Sequence, residues 1–381
     1  MHGLEIQDEF GKCETKNFCH QHQMNQYRCP KALICLDKGS IMSQRCKHSG
    51  IGMLSIPIQN ANRYSCYNFE DTTRNPKILY RFKKLRNMKQ PTMDQATTHL
   101  QPTTIKALSY LVIGHVTADL TPTGIRLGGT AAFSGLTAQA LGLKTGIITA
   151  CAPELNTTRI KSLLLFTKIS AQSTTFENIS DGTQRVQYLY HLAERLTVED
   201  IPRFDPAPDI IHLGPVANEV DWKIIHNFPN SMKCLTPQGW MRTRNSENQV
   251  GYQQWDNFEL VFSHSDIAVI SLDDVLKDEA LIAEMANAIP VFAVTENYRG
   301  ARVYWNNDVR FFKAPEVKYV DDTGAGDIFA TAFFYRYFFT KDPWEAGRFA
   351  VTLASNSVTR KHLDSIPSAE EIAHAKIQLI G

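Results

Sequence analysis

The stretch Val320-Asp321-Asp322-Thr323-Gly324-Ala325-Gly326-Asp327-Ile328-Phe329 decides how this chain is read. It runs directly into residues 330–339, which are apolar nearly all round, the mark of a buried helix. Gly324 and Gly326 let the backbone turn tightly, so several N–H groups at the helix start can point at one spot. Such a spot is an anion hole, and the helix dipole strengthens it. Asp327 projects from the same turn, placed to accept a proton from an attacking hydroxyl. Phosphoryl transfer asks for little beyond positioning and charge stabilisation. Taken alone, Gly324–Asp327 fits a plain turn with a capping aspartate equally well.

Outward from this stretch, the text from Ile105 is that of an α/β protein. Residues 108–113 read as a buried strand ending at Gly114, and Gly128-Gly129 opens a predicted helix over 130–141. Residues 142–149 supply a turn and a strand. Strand-like runs recur at 210–213, 267–270 and 291–295, separated by helical stretches such as 271–288. Strands alternating with helices imply a mostly parallel sheet covered on both faces. Residues 174–179 and 184–190 instead alternate at period two around Asp181-Gly182, a hairpin signal. The ribbon is expected as a lid over a site, or else as an ordinary edge hairpin. Asp342-Pro343-Trp344-Glu345 reads as N-cap, N1 proline and N3 glutamate of a new helix, and the aromatic run 333–339 reads as core packing.

The 381 residues suffice for one large domain or two medium ones, and 43% hydrophobic with 21% charged residues permit a real core. A formal net charge of +1 gives no electrostatic reason to expect nucleic acid or a membrane as partner. No apolar run approaches the roughly 18–20 residues of a membrane span, and the N-terminus lacks the apolar core of a signal peptide. A cytoplasmic enzyme is therefore expected. Residues 1–92 differ in character, with 15 Lys/Arg against 7 Asp/Glu and six of the eight cysteines. They show no sustained period and no C-x-x-C pair, so a metal site is not expected there. The basic run 81–86 reads as a solvated tail. Residues 1–92 are expected to be a disordered or dispensable extension, with a catalytic domain over 105–375.

In that context residues 320–329 resemble the second signature of the ribokinase-like (PfkB) carbohydrate kinases, D-[TP]-T-G-A-G-D-x-F. The likeness continues through Asp342–Glu345, Arg348–Ala350 and Val358–Lys361 to Ile366-Pro367, and Leu127–Thr130 with Ala140–Leu143 looks like the first signature. It implies a three-layer fold: a mostly parallel central sheet, helices on both faces and a small β lid. It further implies an ATP-dependent kinase, using Mg²⁺, that phosphorylates a hydroxyl of a sugar or polyol. A nucleoside kinase, or a catalytically silent relative that binds a metabolite, are the alternatives. By the resemblance Asp327 is the general base and Gly324, Ala325 and Gly326 form the anion hole. Asp119 holds acceptor hydroxyls beside Gly128 and Gly129; Thr295, Gly300 and Asp274 serve the nucleotide; a homodimer through the lid is allowed. His115 lies near the presumed acceptor pocket, although a lone histidine is more often structural. The chain departs from the family pattern in four places. Asn297 stands for the first glycine of the nucleotide loop, Ser271-Leu272-Asp273-Asp274 for N-x-x-E, Asp322 for Thr or Pro, and His362 for a frequent glycine. These departures bear on potassium activation and nucleotide preference more than on the base.

Overall fold

This computed structural model describes residues 107–180 and 185–377, together with a short antiparallel pair, β1 (Leu33–Ile34) and β2 (Tyr67–Asn68). The chain divides into two compact units, Met1–His99 and Leu100–Gly381. Apart from that pair, the readings of the leader, its cysteines and its basic run lie outside the described residues, as does the Asp181-Gly182 turn.

In the second unit, seven strands run parallel: β3 (Tyr110–Ile113), β6 (Thr145–Cys151), β7 (Leu164–Ile169), β10 (Ile210–Leu213), β11 (Met232–Leu235), β14 (Ile267–Ser271) and β15 (Val291–Thr295). Two antiparallel strands, β16 (Gly300–Trp305) and β17 (Asp308–Lys313), extend one edge. The sheet order is β17–β16–β15–β14–β11–β10–β3–β6–β7. Strand β3 is buried at every residue, because alternate side chains feed two separate cores. Tyr110 and Val112 pack with Phe133, Phe329, Phe349 and Ile372, drawn from α1 (Thr130–Ala140), α4 (Ala325–Thr340), α5 (Pro343–Ser357) and α6 (Ala369–Ile377). Leu111 and Ile113 pack with Phe258 and Ile282 of α2 (Phe258–Phe262) and α3 (Glu279–Ala288). The three-layer arrangement implied by the resemblance is thus present.

A smaller sheet, ordered β5–β4–β8–β9, is built from β4 (Thr117–Thr121), β5 (Gly124–Gly128), β8 (Thr174–Ser180) and β9 (Arg185–His191). The predicted ribbon forms its β8–β9 arm, paired from Thr175↔His191 to Ser180↔Arg185. A third pairing joins β12 (Arg242–Arg244) to β13 (Val250–Tyr252). Among the described residues no helix is long and apolar enough to cross a membrane.

Three local expectations are refined. The stretch 271–288 is not one helix. A 3₁₀ turn over Leu272–Val275 ends where Leu276 and Lys277 take φ of 53° and 63°, and α3 begins anew behind Asp278. The cause is capping: Ser271 and Asp274 close a box on the first turn, and Asp278 accepts from the N–H groups of Ala280 and Leu281 at 2.9 and 3.1 Å. At the head of α5, Asp342 caps Trp344 and Glu345 as predicted, but the Glu345 side chain pairs with Arg336. The aromatic run is buried through Tyr335, Tyr337 and Phe338 pack half-buried against the same core, and Phe339 is 59% exposed.

A buried polar string pins α4 to the sheet. The Tyr110 hydroxyl and the Nδ1 of His212 lie 2.9 Å apart, and His212 Nε2 lies 2.8 Å from the Thr236 hydroxyl. Phe334 of α4 packs edge-on against the His212 ring. Burial pushes His212 down to about 3, so the string stays uncharged at any ordinary pH.

Candidate active site

The carboxyl ends of parallel strands, where a doubly covered sheet opens, are where ligands bind in such folds. Here the loop before α4 packs on Phe133 of α1 and is bonded to residues 358 and 362. Gly324 caps α4 with φ of 83°, a left-handed conformation, and a Cβ there would stand 2.1 Å from the Phe133 ring, so only glycine fits. A Cβ at Gly326 would meet nothing within 4 Å, so the space before the helix start is open. Of the opening N–H groups of α4, that of Ala325 turns back to donate to the Asp322 carbonyl at 3.0 Å, contrary to its expected place in the anion hole, while Ile328 is the first to donate to Gly324. The loop itself is held by Asp321, whose carboxylate accepts from the Thr323 N–H (3.0 Å), the Thr323 hydroxyl (2.7 Å) and the His362 N–H (3.0 Å). Burial pushes Asp321 up, but these bonds outweigh it and hold the carboxyl below its ordinary value. The N–H groups of Val320 and Asp321 both donate to the Val358 carbonyl, tying the loop to the end of α5.

Asp327 stands in the first turn of α4. Burial pushes its carboxyl up to about 6; a hydrogen bond from Thr130 and the Arg242 cation oppose the rise, and Asp274 and Asp119 add to it. Four separated segments therefore converge electrostatically on one carboxylate. Thr130 begins α1 next to Gly128 and Gly129; Gly129 is the N-cap of that helix.

Asp119 sits on β4, shortly after the first strand of the main sheet. Its Oδ1 accepts from the Thr117 hydroxyl at 2.6 Å. Its Oδ2 fills the place where residue 128 would carry a side chain, since a Cβ there would lie 2.0 Å away. Glycine at 128 is thus a condition for this carboxylate's position.

Asp274 is the second half of the Ser271 capping box. It accepts from the Ser271 N–H at 2.8 Å and from Gln238 Nε2 at 2.9 Å. Burial pushes its pKa up and Arg242 opposes the shift. Thr295 pairs in register with Ser271, and Gly300 opens β16, so both join the Asp274 end of the site. Asn297 takes φ of 53°, the left-handed turn an asparagine tolerates, and its Nδ2 donates to Asp273 at 3.1 Å.

Two residues were passed over in the sequence. Arg242 donates to the Val216 carbonyl at 3.0 Å and bears on both Asp327 and Asp274, while Gln238 holds Asp274. Their signal was positional: 236–242 is a Pro- and Gly-containing loop following a parallel strand. His115 proves structural. It is fully buried, with Nδ1 2.6 Å from the Thr174 hydroxyl and Nε2 3.0 Å from the Glu194 carbonyl, so neither ring nitrogen is left for a ligand. A cavity of about 520 Å³ lined by Trp222, Trp240 and Trp255 includes none of the residues converging on Asp327.

Residues 255–369 match the family model of the pfkB family carbohydrate kinase. Among solved structures, a pyrophosphate-dependent kinase in the ribokinase family, complexed with a pyrophosphate analogue and myo-inositol, is 19% identical. It aligns over 70% of this chain and 99% of its own with a TM-score of 0.60. The fold is ribokinase-like. Ribokinase from Thermotoga maritima (19% identity, 71% and 99% covered, TM-score 0.55) and nucleoside kinase from Methanocaldococcus jannaschii (15%, 71% and 99%, 0.55) share this ribokinase-like fold. No curated protein matches it in sequence.

Proposed function

We propose that this ribokinase-like chain is a kinase that moves the γ-phosphate of ATP onto a hydroxyl of a sugar or polyol. One observation supports this above the rest. A carboxylate raised to about 6 stands in the first turn of a glycine-opened helix and shares its field with a second carboxylate, Asp119, from the smaller sheet. On this reading Asp119 accepts from acceptor hydroxyls and orients the sugar. Asp327 takes the proton of the attacking hydroxyl as the bond to phosphorus forms. The N–H groups of Gly324 and Gly326, with the Arg242 cation, hold the transferring group's negative charge, and the Ala325 N–H, bonded to the Asp322 carbonyl, shapes the turn between them. Thr295 and Gly300 line the donor end beside Asp274.

The residues fit Mg²⁺ as a phosphate-borne ion. Among the described residues no group of three His, Cys, Asp or Glu side chains forms a metal cage, and both Asp274 oxygens are engaged within the protein. Mg²⁺ typically keeps its waters and binds through substrate phosphates, and Asp274, its oxygens already bonded, would reach it through those waters. It would neutralise phosphate charge during transfer.

A second donor, pyrophosphate, draws support from the structural likeness to the pyrophosphate-dependent kinase and from Asn297 in the nucleotide loop. The test is turnover of pentoses, hexoses, inositols and nucleosides with either MgATP or magnesium pyrophosphate, read as ADP or phosphate release. With the best pair, Asp327→Asn should lower kcat by about 10²–10⁴, with donor affinity little changed because the anion-hole donors are backbone groups. A near-normal kcat would reduce Asp327 to a helix cap and overturn the mechanism.

A further inference from the structure

His362 stands at the end of the loop that follows α5, far in sequence from Asp119, yet its Nε2 lies 3.8 Å from Asp119 Oδ2. Each of these two side chains is 15% exposed. That separation is too long for a hydrogen bond. The Nε2 atom is sheltered from solvent and has no hydrogen-bond partner among the described residues. Asp119, for its part, uses Oδ1 for the Thr117 hydroxyl and leaves Oδ2 turned toward the imidazole.

The ring is not there by default. His362 takes φ of 51°, in the left-handed region that few side chains adopt, and its backbone N–H is fixed by Asp321 at 3.0 Å. Its ring packs edge-on against Phe133, with centroids 5.4 Å apart. Phe133 is also the side chain that forces glycine at 324, and Asp321 also holds Thr323. The histidine is thus built into the supports of the phosphate loop while its ring reaches the acceptor carboxylate.

We infer that His362 is a second acceptor-binding residue, forming with Asp119 a clamp for an alcohol hydroxyl. Nε2 is closed to solvent as the ring stands, so admitting an oxygen about 2.8 Å from both atoms, at an angle of about 85°, takes a small turn of the imidazole or the carboxylate. The facing carboxylate favours the tautomer with a proton on Nε2. A hydroxyl donates to Oδ2 and accepts from Nε2–H at once, whereas a carbonyl cannot donate and an ammonium cannot accept. The pair therefore selects neutral polyhydroxylated acceptors, and glycine at 362 would leave half of that selection unmade. The inference rests on the kinase reading above.

The test is steady-state kinetics of the full chain and of His362→Gly, a change that suits the positive φ, with the best acceptor from the panel and its donor. The acceptor KM should rise about 2- to 10-fold, the loss of one ordinary hydrogen bond, while kcat and the donor KM stay near the parent values. His362→Asn, which tolerates the same backbone and keeps a shorter N–H donor, should fall between. A deoxy analogue lacking the clamped hydroxyl should show one KM with parent and His362→Gly. An unmoved acceptor KM in His362→Gly, or a parallel rise of both KM values with a lowered Tm, would assign the ring a structural role and overturn the inference while leaving the kinase reading intact. Absence of turnover by the parent with every acceptor would overturn both.

Discussion

Replacing Asp327 by Asn should make the protein more stable at neutral pH even as it removes most activity. The carboxyl's ordinary value is 3.8, and burial raises it to about 6 in the folded chain. A carboxyl that binds its proton more tightly when folded costs stability once ionised. Below about pH 3.8 both states hold the proton and there is no cost; across the window up to about 6 the cost grows; above that it is fully present. The shift corresponds to at most about 3 kcal/mol near pH 7.5 and to about half of that near pH 5. Asp327 retains some exposed surface, so about 1–3 kcal/mol is the expected gain for the amide at the higher pH. One effect opposes it: a carboxylate in the first turn of α4 gains about 0.3–1 kcal/mol from the helix dipole, which is smaller. Urea unfolding of parent and Asp327→Asn near pH 5 and pH 7.5 reads the difference. The variant should have the higher midpoint at both, with the larger margin at pH 7.5. Equal margins, or a variant less stable at pH 7.5, would show that the carboxylate sits comfortably ionised, and the argument for a raised base would fail.

The neighbours of Asp327 give two further tests with opposite signs. Arg242→Gln removes the cation that opposes the rise, so the acid limb of kcat/KM should move to higher pH; an unmoved limb would mean that Arg242 does not face the base. Asp119→Asn removes a like charge, so the limb should move to lower pH, and loss of a charged acceptor should raise the acceptor KM about 10- to 100-fold. An unchanged acceptor KM would sink its assignment to acceptor binding.

Much of the main sheet was legible because a strand buried on both faces writes a continuous apolar run. Ile210–Leu213 and Val291–Thr295 carry no competing pattern, and their limits were read without error. The smaller sheet was half legible. Strands β8 and β9 show period-two alternation, but β4 and β5 read Thr-Ala-Asp-Leu-Thr and Gly-Ile-Arg-Leu-Gly, mixed sequences whose pairing is decided by tertiary partners. That is why no strand was read at Asp119, which stands on β4. The helix break at Leu276-Lys277 was illegible for a related reason, since neither residue favours φ above zero, and the two flanking caps impose it.

The site itself divides along the same physical line. Gly324, Gly326 and Asp327 could be found because a helix start that binds an anion needs small residues and a nearby carboxylate within a few positions of one another. Arg242, Gln238 and His362 could not, because each acts across more than 30 residues: Gln238 on Asp274, Arg242 on Asp327, His362 on Asp119. Asp321 shows how the two kinds of information join. Its place in the signature reads as part of a turn, yet in the fold its two oxygens serve different ends. Oδ1 takes both donors of Thr323 and sets the loop, and Oδ2 takes the N–H of His362 and sets the ring beside Asp119. A single half-buried carboxylate thereby ties the ring beside Asp119 to the loop that opens α4, a geometric coupling that no local pattern in the chain could encode.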